Sequence, residues 1–288
     1  MSEWYNNFGD TMKKKKVKKT FKLLIILFFI VAAAIIFKNV NYKKKLLDIN
    51  FEVSSGELNA IYGENLSYIE GLITKKIKPT SGEIVYLGFK RKKIKSVVVD
   101  PSMVNFFTTN VKSEINFYCK KNKIKDKSFK IYIEEYMQSL GLAKSILNKK
   151  ISQLSSSEKY MFYFFLKTLF NFDTIILKDV FSNLDRNNRK IIISLIDKMK
   201  QKNKIIIIDD KIDILYDISD KIIIFKDNTV LLKGNTKDIL TDVEILINNN
   251  IDVPKLPLLT YLAKIKKNIK LFYHYDVRDI IKDIYKHV

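Results

Sequence analysis

Short, almost wholly apolar segments recur along the chain, each ended by a charged residue: SVVV at 96–99, TIIL at 174–177, KIIII at 204–208 and KIIIF at 221–225. Apolar at consecutive positions, such runs fit strands buried on both faces, as in a parallel sheet covered by helices. Residues 48–53, DINFEV, alternate instead and predict a half-buried strand. Further strands are expected at 34–40, at 58–62 up to Gly63, and at 83–87. Apolar residues at helical spacing predict helices over 68–77, 109–120, 129–140, 155–170, 186–200 and 212–218, and beyond Thr236 the pattern is helical. Strands alternating with helices predict an α/β core with a parallel sheet. The series Tyr160, Phe162, Tyr163, Phe164, Phe165 and Phe170 is read as helix core.

The amino terminus breaks this pattern. Lys13 to Lys16, Lys18, Lys19 and Lys22 form a basic tail at 1–22, followed by an apolar run at 23–37. That run is shorter than the roughly 17–25 residues a helix needs to span a bilayer, but apolar on every side. It predicts a membrane-associated segment, whether span, anchor or signal. The net charge of +21 is mostly lysine. Lysine, isoleucine, asparagine, tyrosine and phenylalanine are over-used together, which marks compositional bias, so no specific nucleic-acid partner is expected. Contact with anionic lipid remains consistent with the charge. Cys119 is the lone cysteine, which excludes thiol clusters, and His274 and His287 are the only histidines, which leaves little for a histidine-based metal site; no metal is expected.

The order of segments carries more. FKNVNY is followed by LLDINFEVSSGE, then LNAIYGEN, IKPTSGEIVYLG, ISQLSSSEK, IILKDVFSNLD, IIIIDDKID and KIIIFKDNTVLLKGNTKDIL. In this order they resemble the landmarks of an ATP-binding cassette (ABC) ATPase, and specifically the ATPase subunits of energy-coupling factor (ECF) transporters. NNIDVPKLPLLTYLAKIKK is similar to a carboxyl-terminal segment of that branch. The resemblance implies an α/β fold of the ABC-type P-loop NTPase class, with a mixed sheet and a helical subdomain. The cassette would occupy 35–236, its helical subdomain about 101–170, and a helical, ECF-like pairing region 237–288.

The resemblance fails where ATP chemistry is expected. A P-loop closes backbone N–H groups of glycine-rich chain around phosphates, adds a lysine, and supplies a hydroxyl for Mg²⁺. Here the loop reads Gly63, Glu64, Asn65, Leu66, Ser67, Tyr68, Ile69, Glu70. Ile69 stands in the lysine slot and Glu70 in that of the Mg²⁺-binding hydroxyl. Each lost charge-assisted hydrogen bond is worth roughly 1.5–3 kcal/mol. By the same resemblance Lys178 replaces the Walker B aspartate, Asp179 the catalytic glutamate and Asp210 the switch histidine, while Asp100 falls near the Q-loop glutamine. The signature retains Ser155 but has Ser156, Ser157 and Glu158 in place of its two glycines and glutamine; the D-loop keeps Asp185.

The expectation is therefore a degenerate, ATPase-inactive cassette with no bound cofactor, descended from an Mg-ATP enzyme. Its implied partners are an ABC-type ATPase paralogue, in a hetero- or homodimer, a transmembrane coupling protein and membrane lipid. The cassette would lie on the cytoplasmic side of the cell membrane. Two alternatives are a non-enzymatic membrane-anchored scaffold or regulator on the same fold, and a weakly active ATPase with Asp179 as base.

Overall fold

A computed structural model of the chain describes residues 34–87, 94–124, 129–182, 184–267, 271 and 277–287. Two sheets share the core. The larger has six strands in the order β5-β6-β7-β3-β8-β9: β3 (Leu58–Gly63), β5 (Ser96–Val99), β6 (Thr174–Lys178), β7 (Lys204–Ile208), β8 (Lys221–Lys226) and β9 (Thr229–Asn235). The first five run parallel; β9 returns antiparallel along one edge, so the sheet is mixed. A three-stranded antiparallel sheet, β2-β1-β4, is formed by β1 (Ala34–Tyr42), β2 (Leu46–Ser54) and β4 (Ser81–Tyr86).

The isoleucine runs are continuous because both faces of the large sheet are covered. Successive side chains of a strand point to opposite faces. Ile175, Leu177, Ile205, Ile207, Ile222 and Ile224 join one core, shared with helices Val111–Lys121, Phe129–Ser139, Ser156–Thr168 and Arg186–Lys200. Ile176, Ile206, Ile208, Ile223 and Phe225 join a second, closed by the antiparallel sheet and helix Leu66–Ile73. Helix Ser156–Thr168 is buried nearly all round, Tyr160, Phe162, Tyr163, Phe164 and Phe165 included, which makes its aromatic series core.

The strand expected at 34–40 is present as β1, so the apolar run read at 23–37 is strand, not membrane segment, at its carboxyl end. Ala34, Ile35 and Phe37 are buried in β1, paired to both β2 and β4. Those residues are strand because they cover the second core, where Phe37 stacks on Phe51 at 4.3 Å. Residues 23–33, and with them most of the expected membrane segment, lie outside the described residues. Among the described residues no helix is long and apolar enough to cross a membrane.

Candidate functional site

The carboxyl ends of β3, β5, β6 and β7 gather the residues singled out above. Gly63 ends β3 with φ +111, and a Cβ there would lie 2.0 Å from the Phe225 carbonyl oxygen on neighbouring β8. Glycine is thus required by a strand packed against it, whether or not a phosphate is held nearby. Only Glu64 and Asn65, the latter left-handed at φ 58, separate Gly63 from the helix. The helix starts at Leu66, two residues ahead of the expected 68. Leu66 and Tyr68, standing where glycines would keep the loop open, pack against the second core, and the Tyr68 ring lies 5.4 Å from that of Tyr42.

The loop residues are engaged elsewhere. Ile69 has no exposed surface and sits in the core. Ser67 is exposed in the first helical turn, Glu70 pairs with Lys76 at 3.2 Å, and the Asn65 amide donates to Asn228 Oδ1 at 2.7 Å. Carboxyl-terminal chain closes on the same place: the Tyr62 hydroxyl donates to Asp252 at 2.6 Å, and the Lys226 ammonium donates to the Asn249 carbonyl. Burial, then Asp252, raise the Tyr62 phenol far above its ordinary range. The cavity left between these segments, lined by Gly63, Glu64, Asn250 and Asp252 among others, measures about 150 Å³. Small-molecule sites are larger, at roughly 300–1,000 Å³.

Lys178, at the end of β6, pairs with Asp100 at the end of adjacent β5, 3.3 Å away. The lysine thereby faces away from β3, which lies beyond β7 on the other side. Asp100 is 3% exposed and also accepts from the Ser102 hydroxyl at 2.5 Å and the Ser102 N–H at 2.9 Å. Burial opposes its ionisation, but Ser102 and Lys178 outweigh burial and hold the carboxyl below its usual range.

Beside this pair the fold brings three carboxylates together. Lys178 of β6 is in register with Ile208 of β7, so the next residues, Asp179 and Asp209, emerge side by side. One carboxylate oxygen from each of Asp179, Asp209 and Asp210 lies within 4.8 Å of the others. Asp210 is exposed, Asp179 half-buried, and Asp209 only 1% exposed. Asp209 Oδ1 accepts from the Lys211 N–H at 2.9 Å, whereas its buried Oδ2 has no hydrogen-bond partner among the described residues. Burial raises the pKa of both Asp179 and Asp209, and the neighbouring carboxylates raise them further.

The signature and D-loop positions hold helix starts. Ser155 caps helix Ser156–Thr168: its hydroxyl accepts from the Glu158 N–H at 3.1 Å while Glu158 accepts from the Ser155 N–H at 2.8 Å. This reciprocal capping box gives Glu158 a structural role. Asp185 likewise caps helix Arg186–Lys200 through the N–H groups of Asn187 and Asn188. Asn188 ties the two together, donating to Ser157 at 2.6 Å, while Ser156 opens its helix exposed. Asp209, Ser102 and Asn188 were not singled out from sequence. Asp209 was visible in the doublet Asp209–Asp210, of which only the second matched a family position; the other two become informative only once strands and helices are placed.

No family model matches the chain. A putative ABC transporter ATP-binding protein of Listeria monocytogenes is 24% identical over 223 residues, 72% of this chain and 82% of that protein. The energy-coupling factor transporter ATP-binding protein EcfA2 of Staphylococcus epidermidis is 24% identical over 250 residues, 79% of this chain and 83% of its own. Among solved structures, cbiO1 of Clostridium perfringens, described as part of the ABC transporter complex cbiONQ, superposes with a TM-score of 0.61 at 22% identity over 80% of this chain and 99% of its own. The likeness covers about four fifths of the chain, and the fold is that of an ABC ATPase.

Proposed function

We propose that this chain, an ABC-type cassette by fold with ABC and ECF transporter ATP-binding proteins among its relatives, has lost the binding and hydrolysis of ATP and serves as a pseudo-ATPase subunit. One observation carries the reading. The residue in the phosphate-lysine slot, Ile69, is core, and the helix carrying it begins at Leu66, leaving a two-residue turn where a phosphate cradle is needed. A P-loop depends on free N–H groups and a lysine at that place.

Several other nucleotide positions support the same reading, because they have structural tasks. Lys178 holds Asp100, Glu158 and Ser155 cap one helix, and Asp185 caps another. The subunit would pair with an intact cassette and dock on a transmembrane coupling protein at the cytoplasmic side of the membrane. The ECF-like relatives support this assembly. Purification of the tagged full chain from its native membranes tests the assembly: an intact ATPase and a coupling protein should co-purify in stable proportion. Recovery of the chain with neither would contradict the importer reading and favour a scaffold. Equilibrium titration with Mg-ATP tests the lost nucleotide binding.

A further inference from the structure

We propose that Asp179, Asp209 and Asp210 form a binding site for a hard divalent cation of the Ca²⁺ or Mg²⁺ class, one that operates without nucleotide. Three oxygens within 4.8 Å of one another have the spacing of ligands on one ion. Bonds of about 2.3–2.6 Å to Ca²⁺ place two ligands up to roughly 5 Å apart across the metal. The register of β6 and β7 fixes two of the three, because Asp179 and Asp209 each follow a paired strand residue.

The independent indication is Asp209 Oδ2. Buried carboxylate oxygens are ordinarily satisfied, and this one has no hydrogen-bond partner among the described residues although its residue is only 1% exposed. Lys178, whose ammonium pairs with Asp100, and Lys211 offset the repulsion among these carboxylates only in part, since both Asp179 and Asp209 keep a raised pKa. A cation bound among the three carboxylates would offset their mutual repulsion and lie beside the residue whose buried oxygen lacks a partner among the described residues. Oxygen-only donors select hard ions over thiophilic or imidazole-seeking metals. Ile69, Glu70 and Lys178 take no part, so the site is separate from the phosphate loop. The sequence-based expectation of no metal considered thiols and imidazoles; the fold supplies carboxylates from two strand ends.

Electron paramagnetic resonance of Mn²⁺, titrated into the detergent-solubilised full chain with no nucleotide present, tests this. A single Mn²⁺ should bind at about 1 mM or tighter and be displaced by Ca²⁺ or Mg²⁺. Asp209→Asn should weaken binding at least about tenfold. Because Asp209 is buried, Asp210→Asn at an exposed position provides the same reading with less risk to folding, and Glu244→Gln, at an exposed position outside the cluster, should leave binding unchanged. No bound Mn²⁺ at about 10 mM, a concentration above even weak carboxylate sites, would overturn the proposal. Unaltered binding in both aspartate variants would overturn it equally.

Discussion

Replacing Lys178 by methionine keeps an unbranched side chain of similar reach and removes the charge facing Asp100. The Asp100 side chain is 4% exposed and the Lys178 side chain 37%. Removing one partner of a fully buried pair costs about 3–5 kcal/mol. Fully exposed pairs contribute about 0–1 kcal/mol. Here one partner is buried, the other reaches solvent, and Ser102 still donates twice to the carboxylate. The expected loss is therefore intermediate, about 1–3 kcal/mol at neutral pH. Urea denaturation followed by circular dichroism would measure it. Asp100 has its pKa lowered in the folded state, so its contribution is present above the unfolded-state pKa and disappears as pH falls through the folded value. The gap between Lys178→Met and the unaltered chain should accordingly close below about pH 4. In the double variant Lys178→Met, Asp100→Asn, the neutral amide should recover much of the loss. A gap below about 0.3 kcal/mol at neutral pH, within the error of additivity, or a gap that persists undiminished in acid, would refute the reasoning.

Two further outcomes are expected. Ile69→Lys, which writes the family residue back into its slot, should destabilise the protein by at least about 3 kcal/mol through lost apolar burial and a buried ammonium, and should create no Mg-ATP binding; denaturant midpoints and nucleotide titration read the two effects. Ser155→Ala should cost about 1 kcal/mol by removing the cap of helix Ser156–Thr168, measured as a lower thermal midpoint, with Ser155→Asp retaining most of the stability.

Much of the sheet was legible because burial on both faces leaves an unambiguous mark. The four isoleucines at 205–208 divide alternately between two cores, and no solvent face dilutes the run. Helix Arg186–Lys200 was legible for the complementary reason, a capping aspartate at its start and a periodic apolar stripe. The strand at Ala34–Tyr42 was expected at 34–40, in overlap with a membrane segment. Its first residues continue an apolar run, and a two-face-buried strand and a membrane segment look alike in composition. Helix Leu66–Ile73 was placed two residues late because Glu64 to Ser67 carries a single apolar residue, Leu66, too little for a helical period to register, although Leu66 packs against the second core. The Lys178–Asp100 pair and the three-aspartate cluster depend on which strands are neighbours. Asp100 and Lys178 are distant in sequence, and only the order β5-β6-β7 brings their ends together.

Titration of the purified full chain with a fluorescent ATP analogue in excess Mg²⁺, competed by unlabelled ATP, addresses the lost phosphate site most directly. With Ile69 in the core and a two-residue turn before Leu66, no saturable binding tighter than about 100 μM should be observed. Competed binding tighter than that value would mean that the turn at Glu64 and Asn65 still opens around phosphate, and would contradict the pseudo-ATPase account.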